Sequence, residues 1–170
     1  YIMIRSKAPL RLGIAGGGTD VSPFSDVHGG SVLNATINLF AHAFIEPLQD
    51  SDLTYFIAKD LNMEDSIRID KDINIEDGPL RLHRAVYKKI MNEYNNGKNI
   101  PLRVITQCDA PPGSGLGSSS TLVVSMIEGF RRLLNLPFGE YDIAHLAYEI
   151  ERLDCKLTGG KQDQYAASFG

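Results

Sequence analysis

The stretch that most constrains this chain runs Asp109-Ala110-Pro111-Pro112-Gly113-Ser114-Gly115-Leu116-Gly117-Ser118-Ser119-Ser120-Thr121. An apolar run from Leu102 to Ile105 leads into it and predicts a strand. Behind it, Leu122, Met126, Ile127, Phe130, Leu133 and Leu134 recur at helical spacings, which predicts a helix over Ser118–Leu134. The chain must pass from strand to helix through three glycines at alternate positions. Glycine tolerates φ > 0 and lets the backbone come close to a ligand. Pro111 and Pro112 fix the entry. Ser118, Ser119, Ser120 and Thr121 stand where a helix leaves its first N–H groups unpaired, and their hydroxyls are suited to capping them. Those N–H groups, with the positive end of the helix dipole, form an anion site. A plain turn with a serine cap needs one glycine. Three glycines and four hydroxyls point to phosphate instead. No lysine lies in the stretch, so the anion would be held by backbone and hydroxyls, and the lysine-bearing phosphate loop is excluded.

The remainder of the chain sets this loop in an ordinary globular domain. At 170 residues, 43% hydrophobic and 22% charged, it reads as one domain able to bury a sizeable core. A net charge of −4 argues against a nucleic-acid partner. Cys108 and Cys155 follow no metal-ligand spacing and are too few for a disulfide scaffold, which predicts a reducing, cytoplasmic setting. No apolar run has the length of a membrane span and no signal peptide is visible. Tyr1-Ile2 precede the first methionine, Met3, and read as an addition to the natural start. The other end, Ser168-Phe169-Gly170, shows neither a polar tail nor a terminating helix.

Periodicity predicts a strand over residues 3–12, a short helix from Ser22-Pro23 to about His28, and strands Val32–Ile37 and Ala41–Glu46. Further strands are expected at Leu53–Ala58, Ser66–Ile69 and Leu102–Thr106. Asp77-Gly78-Pro79 should cap a helix that Asn96-Gly97 ends. Another helix follows Phe138-Gly139-Glu140 and carries Ile143, Leu146, Ala147, Ile150 and Leu153. The order implies an α+β fold, one mixed sheet with helices packed on one side.

Two other constellations stand out. Gly16-Gly17-Gly18-Thr19-Asp20 lies just past the first strand. Its glycines could pass close to a small ligand, and Asp20 could accept sugar hydroxyls. Asp20 could equally cap the helix that follows, and the local sequence leaves both open. The second is Glu151 with Gly159-Gly160-Lys161-Gln162-Asp163-Gln164-Tyr165. Glu151 falls on the flank of its helix's apolar stripe, at about 100° per residue. Asp154 faces the core more squarely and is the alternative acidic ligand. Lys161 could meet a substrate phosphate, although a solvated loop lysine is the commoner case.

Pro111 to Ser119 resembles the signature P-x-G-x-G-L-G-S-S of the GHMP kinases residue for residue. Pro9, Arg11, Gly16, Thr19 and Asp20 resemble the family's first motif, P-x-R-x-x-x-x-G-E-H-T-D, with Gly17-Gly18 replacing Glu-His. Read with G-G-K-Q-D-Q-Y-A-A, the pattern is most similar to the D-glycero-D-manno-heptose 7-phosphate kinases, with fucokinases as close cousins. The resemblance implies the family's N-terminal fold, like the second domain of ribosomal protein S5. It implies that residues 1–170 are the ATP-binding domain and that a C-terminal domain lies outside this chain. It implies ATP and Mg²⁺ as cofactors and a sugar phosphate as substrate, phosphorylated at its anomeric hydroxyl to a 1,7-bisphosphate. Pro112, Gly113, Ser114, Gly115, Leu116, Gly117, Ser118, Ser119 and Ser120 would hold the nucleotide. Ser119 and Glu151 would hold Mg²⁺. Gly17, Gly18, Thr19, Asp20 and Gln162 would meet the sugar, the paired glycines leaving room for a longer or phosphorylated tail. Asp163 would orient or deprotonate the hydroxyl, and Arg11 would neutralise charge beside it. A homo-oligomer is left open, as is a non-catalytic relative that only binds sugar and nucleotide.

Overall fold

Alternation of apolar and polar residues along five segments builds one sheet, whose inner face the helices cover. In the computed structural model, residues 3–170 are described. Tyr1 and Ile2, read above as an added start, lie outside the described residues. The strands are β1 (Ile4–Ala15), β2 (Leu33–Pro47), β3 (Leu53–Ala58), β4 (Met63–Arg68) and β5 (Leu102–Cys108). The helices are α1 (Phe24–His28), α2 (Arg81–Tyr94), α3 (Ser118–Leu133), α4 (Glu140–Glu149) and α5 (Gln162–Phe169). A turn of π-helix, Ile150–Asp154, continues α4.

The strand order is β1-β2-β5-β3-β4. β3 runs parallel to β5 and the other pairs are antiparallel, so the sheet is mixed as the sequence implied. One face carries Leu10, Ala41, Ala43, Ile45, Phe56, Leu102 and Val104, all fully buried. Against it α2 lays Val86, Tyr87 and Ile90, and α3 lays Val123, Met126, Ile127 and Phe130. Each large apolar side chain so buried contributes about 1.5–3 kcal/mol. The Ser6 hydroxyl donates to the Ser125 carbonyl at 2.6 Å and ties β1 to the middle of α3. That contact fixes the height of α3 on the sheet, and hence of the glycine loop at its start.

The structure revises several expected elements. The two strands read at 32–37 and 41–46 are one strand, β2. The residues between them are absorbed where the β1–β2 register slips between Pro9 and Arg11 rather than in a turn. β4 begins at Met63, ahead of the expected Ser66. Asp77 does not cap α2, which starts from Leu80 with no side-chain cap. Asn96 and Gly97 do end it, both at positive φ. Past Gly160, where a loop and no terminating helix were expected, the chain forms α5. Cys108 and Cys155 are free. Among the described residues no helix is long and apolar enough to cross a membrane.

Candidate functional site

The glycine loop departs from expectation at its helix start. Gly117 occupies the N-cap position of α3 in the left-handed region, and no side chain caps the turn. The hydroxyls expected to cap are used elsewhere. Thr121 donates to the Gly117 carbonyl at 2.8 Å. Ser120 and Ser119 reach the Glu151 carboxylate at 3.0 and 3.4 Å. The first turn of α3 therefore keeps its N–H groups free of side-chain caps, which suits an anion better than a self-capped helix would. Gly113, Gly115 and Gly117 have φ of 77°, 75° and 75°. A Cβ at Gly113 or Gly115 would meet nothing within 4 Å, so both face open space that a ligand could fill. A Cβ at Gly117 would stand 3.2 Å from Asp163 Cγ. The third glycine thus serves the chain itself, by letting Asp163 lie against the loop.

Asp163 comes from the first turn of α5 and Arg11 from β1, just past the register slip. A slip of this kind re-aims the side chains beside it. Arg11 Nε and Nη2 each lie 2.6 Å from Asp163 Oδ1, and Nη1 donates to the Gly115 carbonyl at 2.6 Å. The Arg11 backbone N–H donates to the Leu116 carbonyl at 3.2 Å. One arginine so joins strand, loop and carboxylate. The pair is largely but not wholly buried, leaving the carboxylate reachable.

Glu151 sits in the π turn and is 1% exposed. The wider turn departs from the α-helical projection that placed it on the flank. Burial pushes its carboxyl above the usual range; hydrogen bonds from Gln164 and Ser120 and the charge of Arg152 oppose that. Asp154, the alternative ligand, does not reach the loop. It lies beside Lys88, Lys89 and Glu93 on a separate surface hollow, away from Ser119. Gln164, which sequence reasoning quoted without a role, bonds Glu151 and Ser120. Its only sequence signal was its place next to Asp163.

The first glycine turn is more self-contained. Gly17–Thr19 form a 3-10 turn. The Thr19 hydroxyl is engaged by the Gly16 and Ser31 carbonyls and accepts from the Ser31 N–H, so it locks the turn to the start of β2. Asp20 Oδ2 accepts the backbone N–H groups of Lys161 and Gln162 at 2.7 and 2.8 Å. It therefore caps α5, not the helix that directly follows it, and leaves Oδ1 for another partner. A Cβ at Gly17 would lie 3.3 Å from Gln162 Nε2, and one at Gly18 would meet nothing. Gln162 Oε1 is buried without a partner. Lys161 Nζ lies 5.3 Å from the Tyr148 ring centroid.

A cleft of about 440 Å³ joins Ser119, Ser120, Glu151, Gly160, Gln162 and Asp163. A groove of about 630 Å³ lies beside it and shares Gln162, with Asp20, Asn34, Thr36, Lys161 and Tyr165 in its walls. Tyr165 closed the last motif without a role of its own, and the asparagine and threonine carried no motif and were not foreseen. Among the described residues no cluster of three His, Cys, Asp or Glu side chains could hold a metal by itself. The Ser119 hydroxyl beside the Glu151 carboxylate is a hard-oxygen set, which fits Mg²⁺ completed by phosphate oxygens and water. The open backbone at Gly113 and Gly115 fits the phosphates themselves.

A Gly-rich loop opening a helix, on a mixed sheet with helices on one side, is the arrangement found in small-molecule kinases, and residues 81–170 match the GHMP kinases N terminal domain. The chain belongs to that family. A D-glycero-alpha-D-manno-heptose 7-phosphate kinase of Campylobacter jejuni subsp. jejuni is 46% identical over 167 residues, covering 98% of this chain and 48% of that protein. A bifunctional fucokinase/GDP-fucose pyrophosphorylase of Arabidopsis thaliana is 30% identical over 96% of this chain and 16% of its own length. The crystal structure of a D-glycero-D-manno-heptose 1-phosphate kinase from Bacteroides thetaiotaomicron superposes with a TM-score of 0.91 at 48% identity, covering 99% of this chain and 54% of that one. The chain thus spans about half the length of the heptose kinases it matches.

Proposed function

We propose that this chain is the nucleotide-binding half of a sugar kinase that phosphorylates the anomeric hydroxyl of D-glycero-D-manno-heptose 7-phosphate. The observation that carries the reading is Asp163 held by Arg11 against the loop Gly115–Gly117. The loop from Pro112 to Ser120 would bind ATP, and Ser119 with Glu151 would hold Mg²⁺. Bound ATP would supply the phosphoryl group, and Mg²⁺ would neutralise charge on its phosphates.

The chain's own residues do the rest. The Asp163 carboxylate borders the cleft and accepts the proton of the sugar hydroxyl or holds it in line. Arg11 fixes that carboxylate and brings positive charge to the place where negative charge develops. Gln162, Asp20 Oδ1 and the Gly17-Gly18 turn border the sugar. Without a carboxylate side chain at Gly17 or Gly18, the turn adds no negative charge to repel a phosphorylated tail. The 46% identity to the Campylobacter heptose 7-phosphate kinase supports this substrate.

Fucose is the second reading, favoured by the 30% identity to the Arabidopsis fucokinase. A coupled ADP-release assay on the complete enzyme over heptose 7-phosphate, fucose and galactose separates them. The highest kcat/KM is expected with heptose 7-phosphate. A preference for either unphosphorylated sugar would overturn the assignment, and no turnover with any of them would favour a binding relative.

A further inference from the structure

Two residues that line the cleft, Ser120 and Glu151, are backed by the buried Gln164, and the three form a polar triangle. The Gln164 side chain is 0% exposed. Its amide nitrogen has two N–H groups, and both are placed. One donates to Glu151 Oε2, the other to Ser120 Oγ at 3.2 Å. The Ser120 hydroxyl in turn donates its one hydrogen to Glu151 Oε1 at 3.0 Å. Both N–H donors find acceptors in this orientation, whereas a flipped amide would set its oxygen against an ionised carboxylate oxygen. Gln164 Oε1 has no partner. A buried, unpartnered amide oxygen is unfavourable, so the two N–H contacts are what offset it.

We infer that Gln164 is a positioning residue: its amide clamps the Glu151 carboxylate and Ser120 so that Glu151 and Ser119 present their oxygens together to a divalent cation. The inference rests on the reading of Ser119 and Glu151 as cation ligands. Three elements meet in the clamp: the start of α3, the π turn, and α5. Each is tied to a different part of the site. Ser119 neighbours Ser120 on α3, and Asp163 neighbours Gln164 on α5. A carboxylate with both oxygens engaged has little freedom to swing, and partners behind a metal ligand typically tune affinity by about 10–100-fold.

Gln164→Met keeps the length and volume and removes both N–H groups. Binding of Mn²⁺ in the presence of ADP, read by electron paramagnetic resonance on the intact protein, should weaken by at least about tenfold. Affinity for ADP without metal should stay within about twofold, because Gln164 touches the loop only through the Ser120 hydroxyl and meets none of its glycines. A general loosening of the fold would lower both. If Gln164→Met does not fold, Gln164→Asn, which withdraws the amide without making the site apolar, should give the same selective loss. Wild-type Mn²⁺ affinity in a folded Gln164 variant overturns the inference. Glu151→Gln is the control for the reading beneath it. Unchanged Mn²⁺ affinity there would mean that Glu151 is no ligand, whatever the Gln164 variants do.

Discussion

The two glycine turns of this molecule look alike in sequence, yet Gly113 and Gly115 of one and Gly16 of the other face different things. In the loop before α3, Cβ atoms at Gly113 and Gly115 would project into empty space. In the turn after β1, a Cβ at Gly16 would overlap the Ser31 carbonyl, and one at Gly30 would overlap the Thr19 carbonyl. The first set of glycines faces open space. The second lets two stretches of this chain touch. The positive φ of Gly16, 80°, matches that of Gly115, 75°, so backbone angle does not separate them. What separates them is what stands beyond the missing side chain. Asp163 reports on both, since it leans on Gly117 of one turn and starts a helix that Asp20 of the other caps.

The largest test of this contrast is the carboxylate between the two. Asp163→Asn keeps the shape and loses the proton acceptor. In the complete enzyme kcat should fall at least ~10²-fold with ATP affinity little changed. Retention of more than about a tenth of kcat would remove Asp163 from acid–base chemistry. Next comes Gly115→Val, which should weaken ATP binding by about ten- to a hundredfold in calorimetry, the worth of a charge-assisted hydrogen bond or two. Equal affinity in mutant and wild type would show that the open face of the loop is not the phosphate site.

A matched pair of alanines breaks the comparison most cleanly. Gly16→Ala should cost about 2–4 kcal/mol in urea unfolding, overpacking added to the left-handed φ. Gly115→Ala should cost only about 1 kcal/mol, from φ alone. Similar losses at both would mean that the empty space beside Gly115 has no consequence. Asp20→Ala should remove about 1 kcal/mol by uncapping α5. It should also lower kcat, because Asp163 rides on that first turn, and an effect confined to KM would contradict the capping role.

The smallest effect belongs to a residue that touches neither turn. His83 is buried on the inner face of α2, with Nε2 2.8 Å from the Thr106 hydroxyl and Nδ1 unpartnered. Desolvation pushes its pKa down to about 4 from 6.5. The unfolded chain takes up that proton first, so the contribution is complete above about 6.5 and is lost as pH falls toward 4. Between pH 7 and 5.5 it should amount to about 1 kcal/mol. The pH dependence of unfolding in His83→Gln should be flatter by that amount, and an unchanged slope would place the proton uptake elsewhere.

Sequence alone carried a good part of this molecule. Three alternate glycines between an apolar run and a helical period specify strand, loop and helix, because each signal is local to about a dozen residues. The strand segments were legible for the same reason, since a period of two is a local signal. Asp163, Arg11 and Glu151 were singled out through motif resemblance, and the contact of Arg11 with Asp163 was expected and is present; the hold of Gln164 and Ser120 on Glu151 was not expected. The long β2 was invisible because a bulge absorbs its extra residues only when β1 lies alongside. α5 was invisible because its cap, Asp20, is 141 and 142 positions away from the N–H groups it accepts. The serines of the loop read as helix caps, which is their local preference. Tertiary structure overrode it by burying Glu151 beside them, since a buried carboxylate takes hydroxyl donors before a helix end does. The chain's order determined which groups could serve; packing decided which of them meet.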